Sequence, residues 1–193
     1  MKLNLRLKDK DDQGFSLLEL MMIIAILSIL TIFGSESLSH VIVHASDISL
    51  QNTLLGLIEQ GEIEAQATGL PIVLCASNDH KRCASNGSDT LLLFVNPEAN
   101  GAMKKSRDLL ADVSIQLRNS QLFWRAVPKH RPYLLFDRAF AGENVNATLW
   151  YCHQEASSPT WAIVINREGR ARVMWQNHAG IIEDASGQAL NCA

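Results

Sequence analysis

Gly14-Phe15-Ser16-Leu17-Leu18-Glu19-Leu20 opens an apolar run that lasts to Phe33, and the reading of this stretch decides the rest of the chain. A short charged leader precedes it, carrying Lys2, Arg6, Lys8, Asp9, Lys10, Asp11 and Asp12. Residues 15–34 are about long enough, at roughly 20 residues, to cross the hydrocarbon core of a bilayer as a helix. One ionisable side chain, Glu19, interrupts them. A carboxylate inside such a helix costs about 2.5–3.5 kcal/mol on insertion scales, so Glu19 requires a partner. A cleaved secretory signal places a small-residue cleavage site after its apolar core. Here charge comes first, then Gly14, then the apolar run, with no A-x-A-like site behind it. The apolar helix is therefore expected to stay on the protein.

The remaining chain is long enough for one domain. A total of 193 residues suits one membrane anchor and a domain of about 120 residues, which can bury a sizeable core. Net charge is -3, and residues 1–14 hold four basic and three acidic residues, so the remainder is more negative still. Anion binding, if present, must come from a local patch rather than from global charge. All four cysteines lie beyond the apolar run, an even number that fits an oxidising compartment and two disulfides. Counting alone leaves their connectivity open.

Residues 15–67 contain no proline and read as a single helix about 80 Å long. In its second part, 35–67, Leu50, Leu54, Leu57 and Ile58 recur at helical spacing, while Gln51, Glu59, Glu62 and Gln66 fall elsewhere. That apolar stripe is expected to cover a sheet, and Gly69 and Pro71 to end the helix. Strands are predicted over 70–75, 90–96, 113–117, 122–127, 133–136, 147–153, 161–166 and 171–175, all rich in branched and aromatic residues. Turns are predicted at Asn86-Gly87-Ser88, Asn100-Gly101, residues 141–144 and residues 167–169. The fold class is α+β, a long helix packed on an antiparallel β-sheet domain spanning 68–193.

The opening motif, followed by Met21-Met22-Ile23-Ile24-Ala25-Ile26-Leu27, resembles the class III signal of type IV pilins and pseudopilins. That resemblance implies removal of residues 1–14 by a prepilin peptidase, with cleavage between Gly14 and Phe15 and methylation of the new N-terminal Phe15. It also implies that Glu19 pairs with the N-terminal amine of a neighbouring subunit during assembly. Where pilins often carry a proline, this chain has Glu36, although Gly34-Ser35-Glu36-Ser37 offers another loosened point.

Further along, Val73-Leu74-Cys75 with Cys83, then Trp150-Tyr151-Cys152, and then residues 166–173 ahead of Cys192 resemble the GspH/FimT branch of minor pilins and pseudopilins. In this setting the cysteines are expected to pair as Cys75–Cys83 and Cys152–Cys192. A metal site on Cys75, His80 and Cys83 is the alternative, but it lacks a fourth ligand and the C-x₂-C spacing of zinc sites. Gly169-Arg170-Ala171-Arg172 resembles the turn through which FimT-type minor pilins bind DNA in natural transformation. Gly169 suits a tight turn, and Arg170 and Arg172, two apart, share a face if both lie in a strand. With Arg167 they form a cationic tip suited to phosphates. Lys129, His130 and Arg131 add basic residues in a proline-bounded loop, with Arg118, Arg125 and Arg138 around it. Trp124, Trp161 and Trp175 are candidates for base stacking, against the commoner role of buried strand tryptophans.

Nothing in the sequence forms a catalytic constellation. His40 and His44 stand four apart without the glutamate and third ligand of a zinc protease, and no nucleophile elbow, P-loop or dinucleotide fingerprint occurs. The chain reads as a non-enzyme with no cofactor and no metal. Expected partners are the inner membrane before assembly, the prepilin peptidase, and other major and minor pilins in a pilus fibre or pseudopilus. DNA, held by its phosphates, is the further candidate. The competing reading is structural: a minor pilin that primes assembly, or a type II secretion pseudopilin, without DNA binding.

Overall fold

A computed structural model describes residues 16–84, 88–115, 117, 120–126, 131–137, 146–153, 158–166, 170–184 and 187–192, with backbone alone over 29–40. Cleavage at Gly14–Phe15, the turns predicted at 86–87, 141–144 and 167–169, and the side chains around Glu36 lie outside these residues. Among the described residues one α-helix, α1 (Leu17–Thr68), is followed by eight strands, with a 3-10 turn (Ser106–Asp108) before the third: β1 (Ile72–Ser77), β2 (Thr90–Val95), β3 (Leu109–Ser114), β4 (Ser120–Ala126), β5 (Tyr133–Phe136), β6 (Ala147–His153), β7 (Trp161–Ile165) and β8 (Ala171–Trp175). The chain divides into two units, residues 1–47 and 48–193.

In the first unit, Ser16 caps the helix: its Oγ accepts from the backbone N–H of Glu19 at 3.2 Å. A serine just before the first turn with a glutamate three residues on is the capping-box pattern, and the carboxylate also suits the positive end of the helix. Over Leu17–Ser28 the helix is apolar, and Leu17, Leu18, Met21, Ile24 and Leu27 are exposed.

The second unit holds the core. Leu50, Leu54, Leu57, Ile58 and Ala65 are buried along one side of α1, as the i, i+4, i+7 spacing requires. Val41–Thr68 is also long and apolar enough, by length and composition, to cross a bilayer, but from Leu50 onward one side of it is buried in this domain. At the C-terminal end Gly69 adopts φ +68°, and its N–H reaches the Ala65 carbonyl at 3.0 Å. A left-handed residue costs glycine nothing, and Pro71 then prevents a further turn.

Two antiparallel four-stranded sheets receive the helix, one in the order β3-β2-β1-β5 and the other β4-β6-β7-β8. Both inner faces and the helix share one core, with Ile72, Leu74, Leu91, Leu93 and Phe136 from the first sheet and Leu122, Leu149, Tyr151, Trp161 and Ile163 from the second. Each outer face has its own small apolar cluster, and each cluster contains a disulfide. On the first sheet Val73, Cys75, Leu92, Phe94 and Tyr133 are covered by Cys83, Ala99 and Met103. On the second, Trp150, Cys152 and Ala162 are covered by Ile182, Leu190 and Cys192.

One strand prediction needs correction. Expected over 113–117, β3 instead spans Leu109–Ser114, pairing Leu109 with Phe94 and Ser114 with Thr90 through a bulge at Leu93/Phe94. The apolar signal of Ile115 and Leu117 is real, since both are buried, but these residues enter the core after the chain has left the ladder.

Glu62 tests the helix–sheet packing. Its Oε1 is buried and has no hydrogen-bond partner among the described residues. Burial first, and neighbouring Glu59 second, push its carboxyl above the ordinary value. A raised acid contributes full stability below its unfolded pKa and loses it as pH rises through the folded one. Glu62→Gln should therefore make the domain more stable than wild type at pH 7 and flatten the decline between pH 4 and 7. Urea unfolding across that range measures both, and a variant no more stable at pH 7 contradicts the assignment.

Candidate nucleic-acid interface

Strand register places the basic candidates. Ala126 pairs with Ala147, Ala147 with Ile165, and Ile165 with Ala171, so these four residues form one row at one end of the second sheet. The ends of β4 and β7 and the starts of β6 and β8 therefore all lie at that end. Arg131, which bridges back to Ala126, and Arg170, which closes the β7–β8 turn, are thus brought to the same end from 39 positions apart in sequence. Lys129, Arg167 and Gly169, named from the sequence, lie outside the described residues.

The β7–β8 turn is closed by Asn166. Its Oδ1 accepts from the Arg170 N–H at 2.9 Å, and its own N–H donates to the Arg170 carbonyl at 3.2 Å. Arg170 therefore lies just outside the strand, because β8 begins at Ala171. The strand alternation expected for Arg170 and Arg172 applies only to Arg172. Both side chains are exposed.

Arg172 sits opposite Val164, Val164 opposite Thr148, and Thr148 opposite Arg125. Directly paired residues in an antiparallel ladder point to the same side, so one row crosses the outer face with an arginine at each end. Three strand spacings separate the ends, about 14 Å. The next row on the same face, Phe123, Trp150, Ala162 and Met174, lies in the cluster under the C-terminal segment. Phe123 and Trp150 stack with ring centroids 5.4 Å apart. The Arg125 guanidinium lies 5.3 Å from the Trp150 ring centre and donates through Nη1 to Asp184 Oδ2 at 2.8 Å. Arg131 lies 5.8 Å from the Tyr133 ring centre. This pair of Arg125 with Asp184, 59 residues apart, had no local signal in the sequence.

Guanidinium groups at these positions can grip phosphate oxygens bidentately, with no geometry for reading bases. Stacking gains little support. Trp161 is fully buried, Trp124 packs against the main core, and the half-exposed Trp175 stands at the far end of β8 on the face opposite Arg172.

The cysteines are joined as Cys75–Cys83 and Cys152–Cys192. Bonded to each other, Cys75 and Cys83 have no thiolate for a metal, so the alternative ligand set with His80 falls away. His80 Nδ1 instead meets Asp112 Oδ2 at 2.8 Å. Inside the loop Asp79 accepts from the backbone N–H groups of Arg82 at 2.7 Å and Lys81 at 2.9 Å, which hold its carboxyl below the ordinary value.

Residues 9–35 match the prokaryotic N-terminal methylation motif, and residues 50–169 match the type II transport protein GspH profile. No curated protein sequence matches. Among solved structures, the type IV minor pilin FimU of Pseudomonas aeruginosa is similar with a TM-score of 0.50 and 16% identity, covering 75% of this chain and 98% of that one. The minor pseudopilin EpsH from the type 2 secretion system of Vibrio cholerae follows at 0.42 and 15%, covering 67% and 96%. At such identities the likeness is one of fold. The methylation motif at the head of the chain and the profile match over 120 of its 193 residues establish the assignment: the chain belongs to the GspH family.

Proposed function

We propose that this protein is a minor type IV pilin that binds DNA non-specifically and supports DNA uptake in natural transformation. The observation that carries this reading is the convergence of Arg170, Arg172, Arg125 and Arg131 at one end of the second sheet. Arg167, Gly169 and Lys129 complete the proposed contact surface. A few phosphate contacts give weak binding per subunit, so repetition along a fibre would raise avidity.

Before assembly, residues 1–14 are removed by the prepilin peptidase, Phe15 is methylated, and residues 15–34 hold the chain in the inner membrane with 68–193 in the periplasm. The amphipathic continuation 35–67 links them. In the assembled pilus or pseudopilus Glu19 pairs with a neighbouring pilin's N-terminus, which offsets the cost of a carboxylate in an apolar helix.

Titrating the full chain in detergent micelles with fluorescent duplex DNA at low salt tests the binding reading. Arg170→Gln with Arg172→Gln should weaken binding at least about tenfold and lower the salt slope by about two. Duplexes of unrelated sequence should bind alike. Unchanged affinity in the double variant sinks the reading.

The GspH profile match favours a second reading, in which the subunit is structural and primes a pilus or serves a type II secretion pseudopilus. Absent DNA binding, with lost piliation or secretion in a deletion strain, would select it.

A further inference from the structure

We propose that Asp184 masks Arg125, and that Arg125 is a further phosphate contact held in reserve by the C-terminal segment. This rests on the DNA-binding reading of the same face. Arg125 and Arg172 are the exposed ends of the same cross-strand row, with Thr148 and Val164 buried between them, so a polyanion that spans the row meets both guanidinium groups. At Arg125 it meets a carboxylate already bonded to Nη1. Asp184 therefore opposes a polyanion twice, by occupying the guanidinium and by repelling phosphate.

Its placement is built into the fold. The Asp184 side chain is only 8% exposed, whereas Arg125 is 46% exposed, so the carboxylate is the fixed member and the arginine the one in contact with water. A small hairpin holds Asp184, whose N–H donates to the Gln188 carbonyl at 2.9 Å and whose Oδ1 accepts from the Gln188 N–H at 3.0 Å. The hairpin is fastened to the sheet by buried Ile182 and Leu190, by the Trp150 Nε1 bond to the Asn191 carbonyl at 2.9 Å, and by Cys152–Cys192. The segment thus sets the number of arginines the face offers: fewer with Asp184 in place, one more without it.

The full chain in detergent micelles, titrated with a duplex oligonucleotide across a salt series, tests this. Asp184→Asn, which keeps an oxygen for the Gln188 N–H, should tighten binding about three- to tenfold at low salt and steepen the salt slope by about one. Adding Arg125→Gln should cancel that gain. Asp184→Ser, a second substitution that retains an acceptor, should act in the same direction and guards against a folding artefact of the first. Unchanged affinity and slope in both Asp184 variants overturns the proposal, as does a gain that survives Arg125→Gln. Salt elution from heparin, a sulfated polyanion, separates the two claims. Later elution of Asp184→Asn, reversed by Arg125→Gln, sustains the masking even if the duplex fails to bind and the DNA reading falls. Unaltered elution overturns the masking.

Discussion

Replacing Cys152 and Cys192 together with alanine is expected to cost the domain about 4 kcal/mol. The bond spans 40 residues of sequence, and on the chain-entropy model a loop of that length restricts the unfolded ensemble by about that amount. Cys75–Cys83 spans eight, so its removal should cost about 2.5 kcal/mol on the same model. The order of the two is the informative result, because it follows from loop length and not from burial: Cys75 is fully buried and Cys152 nearly so. Loss of the longer bond should also loosen the cover over Trp150 and Ala162 while leaving the central core packed, since no residue of the main core belongs to that outer cluster. Denaturant unfolding of each pair of alanine variants under oxidising conditions gives the two numbers. A smaller loss for the 40-residue loop than for the short one contradicts the account.

The second large effect contrasts two glycines of α1. A Cβ placed on Gly61 would lie 2.6 and 2.7 Å from ring carbons of Phe136 and 3.3 Å from Leu93 Cδ1. Phe136 and Leu93 are themselves buried in the core, so neither can step aside. Overpacking of this kind costs about 1–3 kcal/mol and outweighs the roughly 1 kcal/mol by which alanine improves on glycine inside a helix. Gly56, in the same helix, has nothing within 4 Å of the added carbon. Gly56→Ala should therefore stabilise by up to about 1 kcal/mol and Gly61→Ala destabilise by about 2. Phe136→Leu, introduced beside Gly61→Ala, should recover part of the loss by removing the ring. Equal shifts in both glycine variants would show that helix propensity alone governs these positions.

Much of this architecture can be read from local features. The helix announces itself by 3.6-residue periodicity without proline, and its end by Gly69 and Pro71. β5, β6 and β8 begin and end where branched and aromatic residues give way to turn formers. Local features fail where a neighbour far along the chain decides. Ile115 and Leu117 look like strand residues because they are buried, yet β3 ends before them, where its pairing with β2 stops. Division of eight strands into two sheets depends on β1 meeting β5 and β4 meeting β6, pairings between segments separated by other strands. The candidate site behaves in the same way. Gly169–Arg172 stands out as a motif, and its arginines are exposed where described. Arg125 looked like one of several scattered cations until strand register placed it in the row of Arg172, and Asp184 carried no signal at all.

The continuity of α1 has a mechanical consequence. Its residues from Leu50 onward form part of the core shared by both sheets, and the same unbroken backbone continues toward the N-terminus. Tension applied through that end therefore enters the domain by a helix whose buried side chains are packed into the core and must shear before it pulls free.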